Sequence, residues 1–322
     1  IEDKMSDGGC IGIIRDTVAR AQDTFDALDS RLDCEVVLVH SRFLAPQRAR
    51  READLVRRLG RSGESRPDRL VVVGTQVLEQ SLDVDFDLLI SDIAPIDLLL
   101  QRIGRLHRHD RQRPVPLREA TCLVTGVDAW LEDGPQFSRG IELVYEPDFL
   151  LRTAAILDGL SSGIVNVPQD IPRLVRIAYE ETFTWASRGE DAALESRSRH
   201  KAATSRAMTY RLSDPFGASS LMKGITDMKT VDPENTRGHA SVRDSEDSIE
   251  VIVVQQTNSG GYHLMDGIGE FSGADLPLFG APGGDLARAV ASCNSTLLDR
   301  QIHYDLSRGL TVEPRPQNGV PA

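Results

Sequence analysis

The chain has no apolar run approaching the roughly 18 residues of a membrane-spanning helix. Its start, IEDKMSDGGC, is polar and lacks the apolar core of a secretory leader. It also lacks an initiator Met, which implies a processed chain or a piece of a longer one. Only four cysteines occur, at 10, 34, 122 and 293, and no two form a CxxC pair, which argues against a zinc site or a disulfide framework. Cys10, Cys34 and Cys122 lie in apolar, strand-like runs and read as core thiols, which suits a reducing cytoplasm. There is no G-x-x-x-x-G-K-[ST] phosphate loop and no Asp-Glu dipeptide.

What is present is the composition of a globular protein, 40% apolar and 27% charged, in a chain of 322 residues that is long enough for two domains. A net charge of −12 seen as a whole argues against a nucleic-acid partner, but the charge is unevenly spread. Residues 1–120 hold 19 Lys/Arg against 21 Asp/Glu, whereas residues 121–322 hold 18 against 28. The acid surplus therefore belongs to the second part. Arg outnumbers Lys throughout, so only the placement of arginines is informative.

The first part alternates apolar strands with amphipathic helices. Strands are predicted at 10–15, 34–40, 69–75, 87–92 and 120–127, and helices at 16–30, 46–60 and 95–108. This pattern predicts an α/β fold with a parallel sheet covered on both faces, with ligands at the carboxyl ends of its strands. From about 129 helices dominate, at 147–160, 171–183 and 189–210. A β-hairpin is predicted at 248–265, a late helix at 283–298, and a disordered tail from 311. These changes divide the chain into 1–128, 129–210 and 211–322, a sheet lobe, a helical linker and a small α+β C-terminal domain.

Four constellations fall at predicted strand ends. In QRIGRLHRH (101–109), a turn of ~100° per residue places Ile96, Leu99, Leu100, Ile103 and Leu106 on one stripe. Gln101, Arg105 and Arg108 fall opposite, with Arg102 to one side. A solvated helix face explains this pattern; so does a grip on phosphate, for which guanidinium forks one turn apart are suited and Gly104 permits close backbone approach. GTQVLEQSLDVD (74–85) follows a buried strand and offers Thr75, Gln76, Ser81, Asp83 and Asp85. An ordinary strand–helix loop accounts for it equally well. Arg15 and Thr17 end another strand, and His40, Ser41 and Arg42 a third. Their convergence on one sheet edge favours a functional site.

Together these residues resemble the second RecA-like lobe of a superfamily 2 helicase. QRIGRLHR is similar to that superfamily's last motif, Q-R-x-G-R-x-G-R, and VGTQVLEQSLDVDFDLLISD (73–92) to its fifth. The combination of TQVLEQSLDVDFD with QRIGRLHRH is identified as that of the CRISPR-associated helicase–nuclease of type I interference systems. HSRF (40–43) and VRDSEDSIEVIVVQ (242–255) also resemble that family, more loosely.

The resemblance implies an ATP-dependent translocase on single-stranded DNA. Arg105 and Arg108 would be arginine fingers on the γ-phosphate, and Gln101 would help place the nucleotide or the attacking water. Asp83 would accept from the ribose or couple nucleotide to DNA. Arg15, Thr17, Ser41, Arg42, Thr75 and Gln76 would touch DNA phosphates, and the C-terminal domain would face the RNA-guided CRISPR surveillance complex.

Two positions depart from the pattern. His107 stands where the wider superfamily usually has Gly, and Asp16 where Asn is expected; its carboxylate would repel phosphate. The missing phosphate loop and Asp-Glu motif imply that the first RecA-like lobe, which would hold Mg2+, is on another part or chain, as is the HD nuclease. The chain alone is therefore expected not to hydrolyse ATP. His107, His109 and Asp110 mimic an HD metal motif, but no matching helical ligand set accompanies them, so no metal site is expected. Trp130 and Trp185 read as core or interface. The alternatives are a non-catalytic docking or DNA-binding module, and an unrelated superfamily 2 helicase, against which EQSLDVDFD argues.

Overall fold

The computed structural model describes residues 1–63, 65–80, 82–132, 134–180, 187–209, 248–256, 262–264, 290–294 and 302–312. The first strand, β1 (Gly9–Ile14), is buried along its whole length. Both its faces are covered, so its sequence is a continuous apolar run instead of an alternation. β2 (Glu35–Val39), β3 (Arg69–Gly74), β4 (Leu88–Asp92) and β5 (Thr121–Thr125) join it in one sheet of order β2-β3-β1-β4-β5. All its pairings are parallel. This is the expected RecA-like α/β lobe.

The two faces of the sheet have separate cores. Ile11, Ile13, Val71 and Val73 pack with Phe25 of α1 (Val18–Asp29). Cys10, Ile14, Leu70 and Val72 pack with Leu55 and Leu59 of α2 (Ala45–Leu59) and with Phe86. Each such aliphatic side chain contributes roughly 1.5–3 kcal/mol on burial. Gly12 lets the Phe86 ring lie against β1, since a Cβ there would stand 2.6 Å from the ring.

A short helix, α3 (Val77–Gln80), follows β3, and α4 (Ile96–Ile103) follows β4. The helix expected over 95–108 therefore ends five residues early. Gly104 caps it in an ordinary right-handed conformation, its N–H bonding to Leu100 O. The chain then turns back to pair with the segment before β4: Phe86 N–H donates to Arg105 O (2.9 Å) and His107 N–H to Phe86 O (3.0 Å). Arg105 and Arg108 thus lie on a pinned turn, not on a helix face with Gln101. The left-handed residue is His107, at φ 46°.

Beyond the sheet, β6 (Val127–Leu131) and β7 (Gly134–Phe137) form a hairpin, followed by α5 (Ile141–Val144), α6 (Pro147–Asp158), α7 (Ile171–Tyr179) and α8 (Ser187–Thr209). Leu99 and Leu100 of α4 pack against Ile156 and Leu174 of α6 and α7. No helix among the described residues is long and apolar enough to cross a membrane.

The described residues of the C-terminal part form paired strands. β9 (Val254–Gln256) and β10 (Tyr262–Leu264) form the expected hairpin, and β8 (Ser248–Ile252) pairs with β11 (Val290–Asn294). The late helix expected at 283–298 is therefore a strand at its centre, where Ala291 is buried against Leu44, Val253 and Leu310. β12 (Ile302–Asp305) and β13 (Gly309–Val312) form a further hairpin, which takes in Thr311 and Val312 of the expected disordered tail. Residues 313–322 and Trp185 lie outside the described residues. Trp130 is exposed, so it is not a core residue.

Candidate functional site

Parallel strand order places the carboxyl ends of β1 to β4 side by side, which gathers Arg15, Asp16 and Thr17, His40 to Arg42, Thr75 and Gln76, and Asp92 on one edge. Their side chains serve different ends. Thr17 caps α1, accepting from Arg20 N–H (3.2 Å). Thr75 is buried. Arg15 donates to Asp92 (2.8 Å), Thr125 (2.9 Å) and Thr24 (3.0 Å). Arg20 grips the same Asp92 with two bonds of 2.9 Å. Burial pushes the Asp92 carboxyl up, but the Arg20 hydrogen bonds and the charges of Arg15 and Arg20 hold it below the usual carboxylate range. Gln76 Nε2 donates to Asp16 O (3.0 Å) and Tyr145 Oη (3.3 Å). Ser41 and Arg42 are half-buried in the turn after β2.

Arg102, expected beside the polar face, is instead fully buried. Nε donates to Glu79 (2.8 Å), Nη1 to Ser91 Oγ and Asp92 O (both 3.0 Å), and Nη2 to Asp16 and Tyr145 Oη (both 2.9 Å). All five guanidinium N–H groups are used, which is what a buried arginine needs. Burial pulls its pKa down, and Asp16, Tyr145 and Glu79 more than reverse this. Asp16 therefore turns inward, and its departure from Asn supplies the partner of a buried arginine. Burial outweighs Arg102 at Asp16 and pushes its carboxyl up to about 6. Asp16 Oδ2 and Glu79 Oε1 are buried without a partner.

The turn after α4 carries the two expected fingers. Arg105 Nη2 donates to Glu79 O (2.7 Å), while its Nε–H is buried and unpartnered. Burial and the neighbouring charge of Arg108 lower its pKa. Arg108 is accessible and bonds Asp83 (2.5 Å), which holds that carboxyl below its usual range. Gln101 is exposed.

Beneath this turn lies a cluster the sequence reading missed. Buried Asp85 meets Arg113 (2.9 Å) and Arg111 (2.7 Å), and accepts from Arg108 N–H (2.8 Å). Buried Asp87 meets Arg66 (2.8 Å) and Arg113, and accepts from Cys10 N–H (2.6 Å). The signal was the two-residue spacing of Asp83, Asp85 and Asp87 facing that of Arg111 and Arg113. His107 bonds Asp87 O through Nε2 (3.1 Å), and His109 faces Asp83. Among the described residues no three His, Cys, Asp or Glu side chains are grouped to hold a metal ion.

At the far end of the edge, the β12–β13 hairpin closes over the turn after β2. His40 Nε2–H donates to Arg308 O (2.8 Å), and Arg42 N–H donates to His40 Nδ1 (3.1 Å). Gln22 Nε2 donates to Arg308 O (2.8 Å) and Leu310 O (3.0 Å), and Leu44 N–H to Tyr304 Oη (3.0 Å). Burial pushes the His40 pKa down to about 3.

The arrangement offers guanidinium groups at one end of a sheet edge, and hydroxyl and amide groups along it, as phosphate recognition needs. The family model described as CRISPR-associated nuclease/helicase Cas3, C-terminal, matches residues 7–111. The CRISPR-associated nuclease/helicase Cas3 of Streptococcus thermophilus is 35% identical over 273 residues, 81% of this chain and 28% of that protein. A crystal structure of T. fusca Cas3 with AMPPNP matches with a TM-score of 0.80 and 26% identity, over 96% of this chain and 39% of that one. A chain of a CRISPR RNA-guided surveillance complex, in a pre-nicking state, matches with a TM-score of 0.70 and 27% identity, over 92% and 34%. The chain thus spans 28–39% of the length of these three.

Proposed function

Because this chain is homologous to the C-terminal region of the CRISPR-associated nuclease/helicase Cas3, we propose that it is the ATP-site-completing half of a single-stranded-DNA translocase. Residues 1–128 are its second RecA-like lobe, 129–210 a helical linker and 211–322 a C-terminal domain. The nucleotide-binding lobe, its Mg2+ and the nuclease belong to a complementary part or chain, and the RNA-guided surveillance complex is the partner that delivers the DNA.

The observation that carries this proposal is the pinned turn at Arg105 and Arg108. One guanidinium is held by Glu79 O with its Nε–H left buried and unpartnered; the other is accessible and poised on Asp83. A nucleotide γ-phosphate is met by the accessible Arg108 fork and by the remaining N–H groups of half-buried Arg105. ATP fits this donor set from outside the chain, and the charge that develops on phosphoryl transfer is what two forked cations stabilise. Gln101, exposed one turn earlier, orients the nucleotide or the water. Asp83 releases Arg108 to the phosphate and accepts from the ribose.

Along the same edge, Thr17, Ser41, Arg42 and Gln76 contact the DNA backbone. Arg15 and Thr75 act from behind them, Arg15 through Asp92 and Thr75 through its backbone. Such contacts are independent of sequence and weaken with salt.

The test is the single-strand-stimulated ATPase of this chain alone and mixed with a chain supplying the first lobe. Activity only in the mixture supports the proposal. An inactive mixture of folded, associated chains overturns it in favour of a non-catalytic docking module.

A further inference from the structure

Arg102 is used by neither the fingers nor the DNA edge, yet it is among the largest fully buried side chains of the molecule. Its five bonds reach four places: Asp16 after β1, Glu79 of α3, the end of β4 at Ser91 and Asp92, and Tyr145 after α5. Glu79 is shared. Its carboxylate takes Arg102 and its carbonyl takes Arg105. Arg105 N–H in turn donates to Arg102 O (2.8 Å). On the other side, Gln76 bonds both Asp16 O and Tyr145 Oη, and Asp16 directly precedes Thr17.

We infer that Arg102 is a positioning residue that couples the DNA-facing ends of β1 and β3 to the finger Arg105. The inference rests on the proposal that Arg105 completes an ATP site. A shift of Thr17 or Gln76 moves Asp16 or Tyr145, and with them the guanidinium; Glu79 passes the movement to Arg105. The cluster has room for a second arrangement. Every Arg102 donor is used, but Asp16 Oδ2 and Glu79 Oε1 are buried acceptors without a donor. A small rotation of the fork exchanges which carboxylate oxygens it serves, and this is the kind of discrete alternative through which two sites bias each other.

The test uses Asp16→Leu and Tyr145→Phe, each of which removes one hydrogen-bond partner of Arg102 at nearly constant volume, in this chain mixed with one that supplies the first lobe. ATPase is measured with and without oligothymidylate, and direct binding of fluorescent oligothymidylate by anisotropy. The expected result is a stimulation ratio lower by roughly fivefold or more, with the KM for ATP and the DNA affinity within about twofold of the parent. That split marks lost communication between two intact sites. An unchanged ratio in both folded variants overturns the inference. So does a loss of ATPase and DNA binding in step with the folded fraction from thermal denaturation, since that is a merely structural role. A parent mixture without DNA-stimulated ATPase takes down the underlying proposal as well, and is recognised before any variant is compared.

Discussion

Around Arg102 the sheet edge is tied by charge: one guanidinium and two carboxylates, all buried, and a half-buried phenol. Around His40 it is tied by a neutral ring, a carboxamide and backbone carbonyls, over the apolar cluster of Leu44, Val253, Ala291 and Leu310. The difference follows from what each end joins. The first joins segments within the lobe, where rigid partners can surround a charge completely and so offset its desolvation. The second joins the lobe to a short hairpin that brings few side chains, so main-chain groups and apolar contact do most of the joining, beside one partly exposed ion pair from Arg308 to Asp26 (2.9 Å). The first should fail all at once when one partner is lost, the second piece by piece.

The largest expected effect is at the charged end. Arg102→Ala leaves the buried carboxyls of Asp16 and Glu79 without their cationic partner and should cost about 3–5 kcal/mol, measured by urea denaturation. Next, Gly309→Val should loosen the neutral end. Gly309 sits at φ 75°, and a Cβ there would stand 2.8 Å from the His40 ring and 2.9 Å from Arg42 O. A loss of about 1–3 kcal/mol should appear as faster hydrogen exchange in 302–312, with exchange at β1 and β3 unchanged.

The two ends should also answer pH in opposite senses. The Asp16 carboxyl is raised to about 6 from an ordinary 3.8, so its stabilising contribution is full below 3.8 and is lost as pH rises through 6. His40 is lowered to about 3 from 6.5, so its contribution is present above 6.5 and is lost as pH falls below that value. The cause is visible in its bonds: protonated Nδ1 would face the Arg42 N–H that it now accepts. Between pH 7 and 5, acidification should strengthen the Arg102 end and weaken the hairpin, each by roughly 1 kcal/mol per pH unit once its group titrates. Thermal denaturation of Asp16→Asn should lack the first effect, and exchange at 302–312 should report the second.

The smallest effect is expected at His107. Its left-handed φ of 46° costs a non-glycine residue about 1 kcal/mol. The ring bond to Asp87 O recovers a similar amount. His107→Gly should therefore shift stability by less than about 1 kcal/mol, and His107→Val, without that bond, should lose more. This backbone position gives a physical reason for the glycine usual there in the wider superfamily.

The parallel sheet was legible because buried strands such as GCIGII and RLVVVG are unbroken apolar runs between helices with clear stripes. The strand ends were legible for the same reason, which located Arg15, Thr17, Ser41, Arg42, Thr75 and Gln76 together. The turn at Arg105 was not, because helical spacing was carried through Gly104, where the backbone instead returns to Phe86. That same extrapolation left Arg102 beside the polar face, although its partners Asp16, Glu79 and Tyr145 come from separate segments and no local spacing reveals them. At 290–294 the small residues Ala, Ser and Cys read as helix, and their strand conformation depends on pairing with β8, which is distant in sequence.

The most direct test of the account is the Arg105→Ala/Arg108→Ala chain mixed with a chain supplying the first lobe, compared with the parent mixture at saturating single-stranded DNA. The account predicts a fall in kcat of about 10³-fold or more, with association of the two chains and direct DNA binding by this chain both retained. An undiminished kcat in a folded, associated mixture would contradict it, and would move the role of these arginines from the nucleotide to another partner.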